Sequence, residues 1–295
     1  VPYRDEVYPF LQCSRKMPDV SEIQEILDLV AKEKPLCIVT IGGNSIVSDL
    51  CSRIVPTIVV STVPSGRVQT RGQFQAIGRR PGEADFAWAG KHHLPKEHFI
   101  ESVFTSSFKK QEHSYTRQDL ELPENGFIAA MVGGRLSDEV DGKCMDMLEK
   151  LMAQGIYVAF IGGFWRFEEF RRTDALFAKY AIDMGKQDDV LAVLECMDLY
   201  MNPKRIGGGT SVAEALYKGV PVVTLDYGDG GLGAGEDFFV KDYEDMHETV
   251  LRYAKDKEFY SEMSKKAKER AAILTNSEKE FVRLMNTAMS RDAFQ

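Results

Sequence analysis

Along the chain, apolar and polar positions alternate between the period of helices and the continuous runs of buried strands. From Ser21 to about Lys32, Ile23, Ile26, Leu27 and Val30 recur at helical spacing behind two candidate caps, Asp19 and Ser21, which predicts an amphipathic helix. Leu36–Ile41 is a β-prone run ended by Gly42, Gly43, Asn44 and Ser45; a short helical pattern follows through Leu50, and Thr57–Val60 is a second strand. Strands this apolar belong to a parallel sheet buried on both faces. From Ser61 to about Pro95 the periodicity fails and Gly, Pro, Arg and Gln dominate. That stretch is too long for an ordinary connection and predicts a functional loop over residues 61–100.

Regular patterning resumes near Phe127. It predicts strand Phe127–Val132, helix Asp138–Gln154 stopped by Gly155, strand Tyr157–Ile161 and a weaker strand Ala178–Met184. Helix Asp188–Cys196, strand Leu199–Met201, helix Ser211–Lys218 and strand Val220–Leu225 follow. Five strands alternating with helices make a doubly wound α/β lobe. Beyond Tyr243 only helices are expected, with Val250, Leu251, Tyr253, Ala271, Ala272, Leu274, Phe281 and Leu284 as buried positions. At 295 residues the chain exceeds one usual α/β domain. It divides on this reading into a partial N-terminal Rossmann-like lobe, 1–125, and a complete C-terminal one, 126–295. The chain begins with Val1 rather than Met, and two clear strands are few for a full first lobe; a fragment and a shortened relative are both open.

Composition narrows the class. With 28% charged and 44% hydrophobic residues the chain is that of a globular protein that folds in water. No apolar run approaches the length of a membrane span, and no basic-then-apolar leader opens the sequence. Five scattered cysteines without a Cys-x-x-Cys pair suggest neither zinc nor redox chemistry and fit a reduced, cytoplasmic setting, at most peripheral to a membrane. A net charge of −8 argues against nucleic acid as a partner. The charge is uneven: residues 61–120 hold nine Lys/Arg, six Asp/Glu and four of the five histidines, either a face for an anionic ligand or a solvated loop.

The sharpest chemical signal is Asn202-Pro203-Lys204-Arg205-Ile206-Gly207-Gly208-Gly209-Thr210-Ser211, between a strand and a helix. Bare glycines let the backbone approach a ligand, free amides of the first helical turn point at it, and the helix dipole favours negative charge there. Thr210 and Ser211 add hydroxyl donors. The plain alternative is a glycine turn with Ser211 as cap, and Ser211-x-x-Glu214 has the spacing of a capping box. The segment is neither a P-loop nor a dinucleotide fingerprint, since it lacks Gly-Lys-Ser/Thr and follows the fourth strand of its lobe.

Together with Glu214-Ala215-Leu216-Tyr217-Lys218-Gly219-Val220-Pro221-Val222-Val223, this segment resembles the donor lobe of GT-B glycosyltransferases, a resemblance that extends to Met131-Val132-Gly133-Gly134-Arg135-Leu136. It covers roughly half the chain. What it implies is two Rossmann-like lobes and transfer of a sugar from a nucleotide donor, a UDP-sugar, to a glycan, lipid-linked or protein acceptor. It implies further that Glu214 accepts from the ribose hydroxyls, that Gly134 and Arg135 lie at the diphosphate with Lys204 or Arg205 as further positive charge, and that Lys186 and Gln187 lie near the base. Asn202 and Gly207, Gly208, Gly209, Thr210 and Ser211 complete the implied donor site. Gly228–Asp237 stands where relatives carry a mobile loop against the donor.

The family's inverting members keep a base on the first lobe, which points to His92 and His93, residues of a type suited to general-base work. The family offsets the leaving charge without a required metal or cofactor. Two departures limit the transfer. Val140 stands where many relatives carry a lysine, and Ile206 where retaining members carry a second glutamate, so retention and inversion are both open. A nucleotide-sugar-binding partner subunit without chemistry of its own, and an epimerase or hydrolase of a UDP-sugar, are the rival readings.

Overall fold

The computed structural model describes the backbone of residues 2–3 and 6–7 and all of residues 12–64 and 66–291; Val1 lies outside them. The chain divides into two compact units, Val1–Ser102 with Arg283–Gln295, and Val103–Val282.

The first unit opens with a short antiparallel pair, β1 (Pro2–Tyr3) and β2 (Glu6–Val7). Helix α1 (Val20–Glu33) is capped by Asp19, whose side chain accepts from the amides of Ser21 and Glu22. Then come β3 (Ile38–Ile41), α2 (Ile46–Cys51), β4 (Thr57–Val60), β5 (Phe74–Ile77), α3 (Glu83–Lys91), a 3-10 turn at Lys96–His98 and β6 (Phe99–Glu101). The sheet is parallel in the order β3-β4-β5-β6.

The expected loop 61–100 is therefore corrected: it contains two strands and a helix, and the unit has four core strands where two were legible. Polar residues hide them. Gln75 lies buried in the middle of β5, and Asp85 in the first turn of α3 is buried against Arg79 at 2.7 Å. A buried carboxylate needs such a partner, and pairing with Arg79 holds the Asp85 carboxyl below its usual range.

The second unit runs β7 (Ile128–Gly133), α4 (Leu136–Glu139), α5 (Gly142–Ala153), β8 (Tyr157–Gly162), α6 (Phe167–Thr173), α7 (Ala175–Tyr180), β9 (Ala181–Gly185) and α8 (Val190–Leu194). It continues with β10 (Leu199–Asn202), α9 (Gly209–Tyr217), β11 (Val222–Leu225), α10 (Gly228–Ala234), β12 (Phe239–Val240), α11 (Tyr243–Lys255), α12 (Lys257–Leu274) and α13 (Ser277–Met289). From Arg283 onward α13 belongs to the first unit, where Leu284 and Ala288 join Ile58, Phe74, Ala76 and Ile100 in its core.

The second sheet is parallel, in the order β12-β11-β10-β7-β8-β9. In chain order this is sixth, fifth, fourth, first, second, third, the doubly wound arrangement whose order reverses between β7 and β10. It has six strands rather than the five expected. The expected helix 138–154 is two helices, because Asp141 leaves the helix and caps α5 by accepting from the Cys144 amide at 2.8 Å. The expected strand 178–184 begins as the end of α7 and becomes β9 only at Ala181.

The unit also starts earlier than residue 126. Arg117 donates to the carbonyls of Cys196 and Gly126, both at 3.0 Å, and to Asp198 at 2.7 Å, which fastens the irregular segment before β7 to this sheet. Side-chain bonds of this kind leave no periodic trace in a sequence. Among the described residues no helix is long and apolar enough to cross a membrane.

Candidate functional site

The reversal between β7 and β10 places two loops side by side at the carboxyl ends of these strands, the position where open α/β sheets leave a crevice for a ligand. One loop is Gly134-Arg135 after β7, the other residues 203–208 after β10. Arg205 joins them. It is 7% exposed and donates through Nε to Asn202 Oδ1, through one terminal nitrogen to Glu139 Oε2 and through the other to Val132 O and Tyr200 OH, each at 2.8 Å. Burial opposes the charge of this guanidinium, but Tyr200 and Glu139 outweigh it and hold the pKa above its usual value. Glu139 also receives Arg135 at 3.5 Å. Four of the five donors of Arg205 are thus spent inside the protein, so this residue fixes the loops; of the two further cations expected, Lys204 or Arg205, only Lys204 is exposed, as is Arg135, whose side chain is 76% exposed.

The β10 loop then enters α9. Gly208 is the N-cap with φ of +96°, and a Cβ there would stand 2.6 Å from Arg205 Nε and Asn202 Oδ1. Left-handed backbone and close approach both demand glycine at this point. No side chain caps the helix, and among the described residues the amides of Gly209, Thr210 and Ser211 have no acceptor. They are the orphan donors of a helix N-terminus, aligned with its positive dipole end.

Glu214 lies one turn further along α9. It is half-buried, burial raises its carboxyl pKa, and among the described residues its carboxylate has neither hydrogen bond nor ion pair. The capping-box spacing with Ser211 is not used, because the helix starts at Gly209 and carries no side-chain cap. Lys204 is exposed; its amide donates to Tyr243 OH at 3.0 Å and its ammonium sits 5.4 Å from the centre of the Tyr227 ring.

Behind this loop lies α10, where a mobile glycine loop was expected. Its glycines serve close packing instead. The Asp229 amide donates to Ile206 O at 2.6 Å, and a Cβ on Gly230 would come within 2.9 Å of Asn202 Cγ. On the other side, Gly162 and Gly163 at the end of β8 lie close against the carbonyls of Gly133 and Gly134. That Gly-Gly pair and the bridging Glu139 were not singled out in the sequence; the glycine pair directly after a strand was the available signal.

Solved glycosyltransferases share this fold. The chain matches one from Rickettsia africae ESF-5 with a TM-score of 0.64 at 11% identity, over 95% of this chain and 84% of that one. It matches Anabaena HepE in complex with UDP with a TM-score of 0.63 at 13% identity, over 91% and 82%. A Thermobaculum terrenum O-GlcNAc transferase gives 0.61 at 16%, over 92% and 56%. The fold is GT-B type. No family model and no curated protein sequence matches the chain.

In this GT-B chain the second unit holds every expected donor-site residue, though not in one cluster. Lys186 and Gln187 follow β9, two strands from β7 and so about 10 Å away across the sheet. Lys186 is exposed and Gln187 donates to the Met184 carbonyl of its own loop. His92 and His93 lie in the first unit. His92 ends α3 and packs against Trp88 with ring centroids 4.2 Å apart and the planes tilted by 34°, while His93 is exposed with φ of +57°. Among the described residues no group of three or more His, Cys, Asp or Glu side chains is placed to hold a metal.

Proposed function

We propose that this protein is a glycosyltransferase that takes a sugar from a nucleotide donor, a UDP-sugar, and that the second unit binds the donor. The diphosphate sits on the free amides of Gly209, Thr210 and Ser211, with Arg135 as counter-charge and Asn202 and Arg205 holding the loop in shape. Glu214 accepts from the two ribose hydroxyls. The observation that carries this reading is Glu214: a half-buried carboxylate without a partner, one helical turn from three unpaired amides, at the strand-order reversal of a GT-B sheet. A desolvated carboxylate is costly until a donor pair arrives, and a ribose diol supplies one. HepE, of the same fold, is known in complex with UDP and glucose, which supports the choice of donor.

The arrangement favours charge stabilisation over covalent chemistry. As the glycosidic bond to the diphosphate breaks, negative charge grows on the leaving phosphate oxygens, and fixed amides with Arg135 stabilise it more than the ground state. Lys186 and Gln187 approach the base. The acceptor is a glycan, a lipid-linked sugar or a protein hydroxyl.

Calorimetric titration with UDP tests the reading. Wild type binds UDP, and Glu214→Ala weakens binding about tenfold to a hundredfold, the worth of one or two hydrogen bonds to a charged group. Absence of UDP binding by the intact chain would overturn the donor site. Incubation with UDP-sugar alone separates transfer from hydrolysis or epimerisation, which consume donor without an acceptor.

A further inference from the structure

The sheet of the first unit ends on β6, whose outer side has no neighbouring strand among the described residues. The Ser102 amide donates inward to Ile77 O at 2.8 Å, and successive residues of a strand direct their backbone groups to opposite sides, so Phe99 and Glu101 turn both N–H and C=O outward. Two arginines hold the outward carbonyls: Arg283 donates to Glu101 O at 2.5 Å, and Arg291 donates to Phe99 O at 3.3 Å and to Glu97 O. Beside them a groove of about 520 Å³ runs along the strand, lined also by Arg80, Pro81, Phe86 and Lys96. Arg80 and Lys96 are exposed, and among the described residues their side chains make no hydrogen bond or ion pair. Four cations thus stand against two carboxylates, Glu97 and Glu101, in a chain whose net charge is −8. Burial lowers the pKa of Arg291 against the pull of Glu97, which marks a cation short of counter-charge.

We propose that this edge binds an extended acidic segment of a partner protein, which adds a strand to β6. The amides of the segment replace the two guanidinium groups on Phe99 O and Glu101 O, and its carbonyls accept from the N–H groups of the same two residues. The arginines so released, together with Arg80 and Lys96, pair with its carboxylates. Phe86, 37% exposed beside Pro81, seats one apolar side chain of the segment. Charge chooses the occupant. A second copy of this chain would bring the same four cations against these four, and like charges facing each other across a strand pair destabilise it. A membrane surface would attract the cations but leave the outward amides unused, and Arg283 and Arg291 turn toward the strand rather than away from the protein. Cations along an edge also keep it from pairing with sequences at large, so the residues that admit an acidic segment reject a neutral or basic one.

Fluorescence anisotropy with the full chain tests this. The probe is a labelled peptide of alternating glutamate and valine, long enough to span the strand, and its anisotropy should rise to saturation below about 1 mM protein. The same peptide with lysine for glutamate should not bind. Nor should one N-methylated at every peptide bond, which keeps the carboxylates and removes the strand donors. Arg80→Glu combined with Lys96→Glu changes two exposed side chains that hold no part of the fold, and should weaken binding about tenfold with an unaltered circular dichroism spectrum. The proposal falls if the acidic peptide does not bind, if the N-methylated one binds as tightly, or if the double variant binds like wild type. Binding to phosphatidylserine vesicles that the double variant loses, without any response to the peptide, would assign the groove to a membrane surface and overturn it as well.

Discussion

Arg205 and Arg135 are both arginines at the mouth of one crevice, yet their surroundings give them opposite tasks. Arg205 is enclosed and bonded to Asn202, Glu139, Val132 and Tyr200; Arg135 is three-quarters exposed, with a long contact to Glu139. Removing one partner of a buried ion pair strands the other charge, so Arg205→Ala should destabilise the second unit by about 3–5 kcal/mol. Arg135→Ala should leave the unfolding midpoint within about 0.5 kcal/mol of wild type and weaken UDP binding instead. Chemical denaturation and calorimetry on the two variants check both statements; equal loss of stability would refute the division of roles. No sequence pattern separated these residues, because both follow a strand and precede glycine or an apolar position, and burial is decided by which carbonyls the neighbouring strand turns toward them.

At the scale of elements, the cradle of the donor loop depends on α10. Glycines along it allow the helix to lie directly on Asn202 and on the carbonyls of Arg205 and Ile206. Gly230→Val should overpack this contact, cost about 1–3 kcal/mol, and speed amide exchange at Asp229, whose N–H bonds Ile206 O. Unchanged protection of Asp229 would show that the loop is held otherwise. The strands β7, β8, β10 and β11 were legible because their apolar runs are continuous, and the glycine loop before α9 because its geometry admits few other residues. The elements β5, α3 and α10 were not. Gln75 interrupts the first, buried Asp85 disguises the second, and the glycine-rich sequence of the third reads as a loop until a neighbouring helix gives those glycines something to approach. Glu214 was legible only through its resemblance to a family; its lack of a partner is a fact of packing.

On the scale of the whole molecule, the two units carry separate apolar cores, a large one around β7–β12 and small clusters around β4–β6. Thermal unfolding should therefore depart from a two-state transition, with the calorimetric enthalpy exceeding the van't Hoff value, and UDP should raise only the transition of the second unit. Acid should act on the first. His98 is fully buried there, its Nδ1 at 3.1 Å from Gln73 O and its Nε2 without a partner, and burial lowers its pKa to about 4 from 6.5. The unfolded chain thus binds the proton more readily. The stabilisation from keeping this ring neutral is complete above about pH 6.5, declines as pH falls toward 4, and amounts to about 3 kcal/mol. A first-unit transition that does not move between pH 7 and 4.5 would contradict it.

The first unit is completed by residues from Arg283 onward, which supply Leu284 and Ala288 to its core, whereas the second is one unbroken stretch. During synthesis the later-encoded unit is therefore able to finish folding first. The earlier-encoded one keeps an open apolar seam until α13 has docked, which makes that interval the one in which exposed apolar surface is most prone to aggregate.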